Sequence, residues 1–334
     1  MFRLRNNATF LVVGLVPVAG CSFPSSAERS LRASAVSTGA LANRELALRW
    51  LGTAGYEVRY KPAGANEVVL LIDPFFTRPG LPKLLASSLF DLSLPSNEDQ
   101  IVRLTARHQL ALNRASHILI AHGHYDHLMD APGIALRNGA KLVGSKTAVN
   151  IARGLGVPEP QLIDVEQSPE FDVGPIHVKA VESKHVKLIG NYIYNTGEVL
   201  TPPSPPLSAR DFKLGRQFNY LLEVDGLRIY HHGCADLIDD NVRAVGDVDV
   251  LIVGLALRKH TPDFLGRILT LTNPKIVIPT HHDDFFLPFG FGVWVMFHTH
   301  FGDFVETVRT TAPQARIVTL DFFQEYRLNA ATGP

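Results

Sequence analysis

Cysteine is nearly absent from this chain, with two in 334 residues, Cys21 and Cys234. Two distant cysteines make no disulfide framework, so the stability of any folded domain must come from packing. An excess of charge of either sign is missing too, since Lys plus Arg and Asp plus Glu number 32 each. That balance removes the overall basic field expected of a nucleic-acid binder and the acidity of a solvating chain. The most apolar stretch near the N-terminus, Thr9 to about Ala19, falls short of the ~20 apolar residues that a membrane-spanning helix needs. Apolar material is otherwise plentiful: 46% of residues are hydrophobic and 19% charged, enough for one large domain or two small ones. Histidine is abundant at 14, and most histidines sit within a few residues of another.

The first residues have the layout of an export signal: Arg3 and Arg5, the apolar run, then small residues before Cys21. "VAGC" resembles the lipobox of bacterial lipoproteins, which implies that residues 1–20 are a signal peptide and that Cys21 is lipidated as the mature first residue. A short membrane anchor or an ordinary cleaved signal are the alternatives. Residues 21–43 are rich in Ser and Ala without a strand pattern and read as a tether. The expected place is the cell envelope, periplasm or outer membrane, reached through the lipid anchor. Ser22 is compatible with outer-membrane sorting. The folded domain is then 44–334.

That domain opens with "LALRWLGTAGYEVRY", whose alternation, followed by "EVVLLIDPFF", suggests paired strands around Lys61 to Asn66. Residues 79–112 read as helices with loops, and "ASHILIAH" as a buried strand. "MDAPGIALRNG" and "SKTAVNIARGLG" read as helices on either side of the strand "KLVGS". The second half repeats the theme, with strands near "IHVKAVES", "FNYLLEVDGLRIYHHG", "VDVLIVGLAL", "PKIVIPTHH" and "ARIVTLDF" and helices near Asp236–Val245 and Pro262–Leu271. Strands in both halves alternating with helices suggest two sheets covered by helices, an α/β fold.

Directly behind one buried strand stands "HGHYDH", with His122, His124, Asp126 and His127. His122 and His124 can reach one metal from a loop, while Asp126 and His127 point to a second position beside it. Neutral imidazole and carboxylate suit a divalent ion such as zinc, and two such ions with a shared hydroxide provide a nucleophile near neutral pH.

"HGHYDH" resembles the H-x-H-x-D-H motif of the metallo-β-lactamase superfamily, and the resemblance extends over almost everything after the tether. It implies an αββα sandwich of two mixed sheets flanked by helices, with two divalent metal ions, zinc by the donor set, at one edge. "VESKHVK" would supply His185 to join His122 and His124 on the first metal, with His177 as its rival. "VIPTHHDD" would supply His281 to join Asp126 and His127 on the second, with His282 as its rival. In many relatives Gly-Asp follows a strand and bridges the ions. Here "RIYHHGCAD" puts Cys234 after Gly233 and delays the acid to Asp236. Asp236 is favoured as the bridge because two carboxylate oxygens can span two ions, with Cys234 as the alternative ligand. His231 and His232 read as strand-end residues that orient the ligands.

His124 stands where oxygen-reducing di-iron relatives carry glutamate, which favours hydrolysis over redox chemistry, with Asp126 orienting the water or taking its proton. The motif is similar to the branch acting on N-acyl phosphatidylethanolamine and to the L-ascorbate phosphate lactonase branch. A small-molecule or lipid-like phosphodiester therefore ranks slightly ahead of a lactone, thioester or amide. The proline-rich stretch after His185 reads as a loop over the metals. The aromatic stretch "DFFLPFGFGVWVMFHTHFGDF" either shapes an apolar pocket, touches a bilayer or fills core. A different class stays open: a tethered protein that binds zinc without turnover.

Overall fold

The computed structural model describes residues 22–23, 31 and 40–329. The expected signal peptide 1–20 and the lipidation site Cys21 lie outside the described residues, as does most of the tether. Ser22–Phe23 (β1) pairs antiparallel with Val295–Met296.

In the first half, β2 (Glu45–Gly52), β3 (Gly55–Lys61) and β4 (Val68–Ile72) form an antiparallel meander. Helices α1 (Leu81–Phe90) and α2 (Glu98–His108) follow, then β5 (His117–Leu119), the single turn α3 (Tyr125–Leu128), α4 (Ala131–Asn138), β6 (Lys141–Gly144), α5 (Lys146–Gly154) and β7 (Leu162–Asp164). Two helix starts follow capping chemistry. The Asn97 side chain accepts the Gln100 N–H ahead of Glu98 and Asp99, and Ser145 accepts that of Ala148.

The second half runs β8 (Glu170–Val173), β9 (Ile176–Ser183), β10 (Gln217–Val224), β11 (Leu227–His232), α6 (Asp239–Val245), β12 (Val250–Gly254), α7 (Phe264–Thr272), β13 (Ile276–Thr280), β14 (Val295–Met296), α8 (Phe301–Thr311), β15 (Arg316–Ile317) and β16 (Glu325–Asn329). Two seven-stranded mixed sheets result, one ordered β16-β2-β3-β4-β5-β6-β7 and the other β15-β13-β12-β11-β10-β9-β8. This is the αββα sandwich expected from the sequence.

Strand period two explains why both faces of each sheet are covered. In β4, Leu70 and Ile72 join the cluster between the sheets, with Tyr220, Leu222, Ile252 and Ile278. Val69 and Leu71 instead join the cluster on the helical side, with Ile101, Leu128 and Ile134. In β12, Ile252 faces the sheets while Leu251 and Val253 face the helices.

One strand belongs where its sequence neighbours do not. β16, from the far end of the chain, pairs with β2 and closes the first sheet. Buried charges hold it there: Glu325 accepts from Arg49 at 2.7 Å and from Arg59 at 2.6 Å, while Arg49 also pairs with Glu57 at 3.2 Å. Removing one member of such a cluster leaves uncompensated buried charge. Glu325→Ala is expected to lower the free energy of unfolding by about 3–5 kcal/mol. Urea denaturation checks this as a lower midpoint at an unchanged slope.

Candidate metal centre

Five strand ends converge at one edge of the sandwich. Asp73 follows β4, His122 follows β5, His185 follows β9, Cys234 follows β11 and His281 follows β13. In the first sheet β4 and β5 run parallel; in the second, β11, β12 and β13 do. Their C-terminal ends therefore share an edge, where backbone leaving the sheet can turn side chains inward.

Two triads meet there: His122, His124 and His185, and Asp126, His127 and His281. Within each, one ligand atom per residue lies within 4.8 Å of the others. The His122 and His127 rings, 4.0 Å apart between centroids, join the two. Asp126 and His127 sit on the one-turn helix α3 rather than in an open loop, and both meet His281 there.

Hydrogen bonds to the outer nitrogens assign the inner ones. His124 Nε2 donates to the Tyr194 carbonyl at 3.0 Å, which leaves Nδ1 bare, 3.0 Å from His122 Nε2. His185 Nδ1 donates to the Val186 carbonyl at 2.7 Å, which leaves Nε2 bare. His127 Nδ1 is held by Asp73 Oδ2 at 2.8 Å, with Nε2 3.6 Å from Asp126 Oδ2. His281 Nε2 is 3.4 Å from the same oxygen. Imidazole nitrogens gathered around a carboxylate, nearly all out of contact with water, fit divalent cations of the zinc type.

The electrostatics agree. Burial alone would raise Asp126, but His127, His281 and His124 hold its carboxyl well below the usual carboxylate range. Burial and the neighbouring imidazoles push His122 far down, so its nitrogens stay free of an extra proton. Burial would also depress His127, but Asp73 and Asp126 raise it to about 9. For Cys234, burial opposes ionisation, and His185, the Val186 amide and His127 together bring the thiol down to about 7.

Asp236, favoured from the sequence as the bridge, is not gathered with the triads. Its carboxylate accepts the Leu237 N–H at 2.8 Å, and its carbonyl takes Ser183 Oγ and His232 Nε2. Cys234 is the side chain that lines the cavity with His124, Asp126, His185 and His281. Two residues further on, the chain has already turned toward α6. The rivals are also placed elsewhere. His177 is half-buried on β9 and pairs with Asp172, and His282 is buried with its ring stacked on Trp50. His231 and His232 hydrogen-bond to the Ala54 and Asp236 carbonyls at the end of β11.

Sequence reasoning assigned no role to Asp73. The one signal for it is a lone acid closing the apolar run of β4. Its backbone is left-handed at φ 42°, as are Thr53 at 52° and His281 at 51°, a conformation that costs non-glycine residues of order 1 kcal/mol. Hydrogen bonds hold each in place: Asp73 N–H to Leu119, His281 N–H to the Thr53 carbonyl and Thr53 N–H to Asp283 Oδ1. Gly123 serves differently, since a Cβ there would collide with the Lys213 carbonyl oxygen. Only glycine lets the loop 184–216 lie against the metal loop.

Residues 47–281 match the family model of the β-lactamase superfamily domain. Similar curated proteins include a UPF0173 metal-dependent hydrolase of Myxococcus xanthus, 27% identical over 71% of this chain and 70% of its own length. Another, from Polynucleobacter asymbioticus, is 28% identical over 75% of this chain and 78% of its own. Among solved structures, Igni18, a metallo hydrolase from the archaeon Ignicoccus hospitalis, aligns with a TM-score of 0.53 at 15% identity, covering 85% of this chain and 98% of that one. CmlA, a diiron β-hydroxylase from Streptomyces venezuelae, gives 0.51 at 14% identity over 87% of this chain and 55% of its own. At these identities the structural likeness concerns the fold alone.

The raised His127 makes metal uptake depend on pH. In the metal-free chain its ring is protonated at pH 7 and must lose the Nε2 proton to ligate, so uptake releases protons and tightens as pH rises toward about 9. Asp73→Asn removes the carboxylate that retains this proton, and is expected to lower the protons released at pH 7 by about one per chain. Calorimetric zinc titrations in two buffers of different ionisation enthalpy give that number directly.

Proposed function

Because the chain belongs to the β-lactamase superfamily, we propose that it is a metal-dependent hydrolase acting on an ester-type bond next to an apolar group. His122, His124 and His185 would hold one divalent ion, zinc by the donor set, and Asp126, His127 and His281 a second, with Cys234 as a thiolate ligand beside them. Bound there, the ions supply a water acidified to near neutrality and a Lewis acid for the attacked group. The observation that carries the reading is the pair of adjoining, largely buried triads, in which His124, His185 and His127 already have one ring nitrogen tied to a carbonyl or a carboxylate.

The remaining work falls to side chains. Asp126, ionised and placed between His127 and His281, can orient the attacking water and accept its proton. Both triads contribute to a cavity whose other walls are apolar, among them Val186, Leu188, Leu257, Phe285 and Phe286. Such walls suit an acyl or similar apolar group. No lysine or arginine is among the described residues lining that cavity, although phosphoryl sites commonly recruit them. We therefore place a carboxylic ester, thioester, lactone or amide ahead of a phosphodiester, the reverse of the ranking drawn from motifs. On sequence grounds alone, we also place the enzyme in the cell envelope, tethered through Cys21.

Zinc-loaded protein is expected to hydrolyse p-nitrophenyl butyrate faster than bis(p-nitrophenyl) phosphate, and a chelator to abolish both. Asp126→Asn should lower kcat by about 10²–10⁴-fold, with zinc content followed by mass spectrometry. A fully metallated wild type that turns over no ester, thioester, lactone, amide or phosphodiester would instead support zinc binding without catalysis.

A further inference from the structure

One more side chain on the cavity wall carries chemistry that the two triads leave unused. His298 lies on a single 3₁₀ turn, Phe297–Thr299, in the aromatic segment between β14 and α8. Its Nδ1 accepts the N–H of Leu257 at 3.1 Å. An imidazole nitrogen that accepts carries no proton, so in the neutral ring the proton is on Nε2. Burial pushes this ring down to about 4, with His281 and His260 adding to the push, so it is neutral at pH 7.

Nε2 is buried and has no partner in the protein. A buried N–H without an acceptor is unfavourable, and an acceptor brought by a ligand would satisfy it. The side chain lines the same cavity as His124, Asp126, His185 and His281. With Nδ1 occupied by Leu257, Nε2–H is the polar group that His298 has left to offer there.

The ring is also held still. Leu257, whose N–H fixes it, is followed by Arg258, only 4% exposed. The Arg258 guanidinium reaches back to the residues after the histidine, donating to the Thr299 carbonyl at 3.0 Å and the His300 carbonyl at 2.9 Å, and to Asp303 at 2.5 Å. Two consecutive residues thus grip both the ring and the backbone of the turn. A donor fixed before the ligand arrives is what stabilisation of developing charge requires.

We propose that His298 is a substrate-binding donor, its Nε2–H meeting an oxygen of the scissile group, and that Arg258 is the positioning residue that keeps it there. The inference rests on the hydrolase reading. The proton stays on Nε2 throughout; the role is donation, strongest when charge gathers on the substrate oxygen.

Two replacements separate this from a purely structural role. In His298→Asn, Oδ1 can still accept the Leu257 N–H, but the donor at the Nε2 position is gone. In His298→Gln, the amide N–H₂ reaches that position while the bond to Leu257 is given up. With the zinc-loaded full chain and p-nitrophenyl butyrate, His298→Asn is expected to lose about 10²–10³ in kcat at unchanged zinc content and melting temperature. His298→Gln should recover at least part of that loss. The opposite order, with Asn like wild type and Gln impaired, would mean that the ring only props Leu257 and would overturn the proposal. If the wild type turns over no substrate, the hydrolase reading fails and binding decides: calorimetry with butyrate should show weaker binding to His298→Asn, and equal affinity would sink the donor role as well.

Discussion

Asp73 divides its carboxylate between the sheet and the site. Oδ1 accepts the Ala121 N–H at 2.8 Å, fixing the backbone that leads out of β5, and Oδ2 holds His127 Nδ1 at 2.8 Å. Its own N–H is given to the Leu119 carbonyl. One side chain therefore fixes where the metal loop leaves the sheet and which nitrogen of His127 faces inward. The other sheet is fastened to the first by a similar device. Thr53, in the turn between β2 and β3, accepts from His281 N–H and Thr280 Oγ1 and donates to Asp283. Asp283 is in turn paired with the fully buried guanidinium of Arg78. The distance between the two triads is thus set by polar bonds at the sandwich edge, while the apolar core sets only the separation of the sheets.

What the sequence reveals depends on how local the determining contact is. "HGHYDH" is legible because four of the triad residues lie within six residues of one another, and β4, β9, β10 and β12 because each is a single apolar or alternating run. His185 and His281 need the resemblance to a known motif to be picked from their rivals, and only burial and backbone direction separate them from His177 and His282. Asp236 shows the limit. Two potential ligands two residues apart differ in which way the chain turns after β11, and that turn is tied to Ser183, 53 positions away, as well as to the nearby His232. β16 is harder still: "EYRLN" has little apolar pattern, and its place is fixed by Arg49 and Arg59, more than 260 positions away.

The aromatic segment after His281 shows how one composition serves several ends. Phe285 and Phe286 line the cavity. Phe289 lies under the Arg78 guanidinium, 4.0 Å from it, against Phe322 and Phe323. Phe291 is 62% exposed. Pocket, core and surface are all present, so no single sequence-based description of the stretch is sufficient. The wall and the clamp are nevertheless coupled, because Arg78 also donates to the Asp284 and Leu287 carbonyls on either side of the two cavity phenylalanines.

The loop between β9 and β10 has a comparable double duty. It supplies Leu188 and Tyr194 to the cavity wall, yet the Tyr194 carbonyl also fixes the tautomer of His124, and the Leu214 carbonyl takes the N–H of Gly123. Loops of this kind are where a lineage usually explores new substrates, since they tolerate insertion and exchange. Here such exploration is not free: a change that reshapes the wall also tugs on His124 of the first triad, so diversification is confined to side chains that leave the path of the backbone alone.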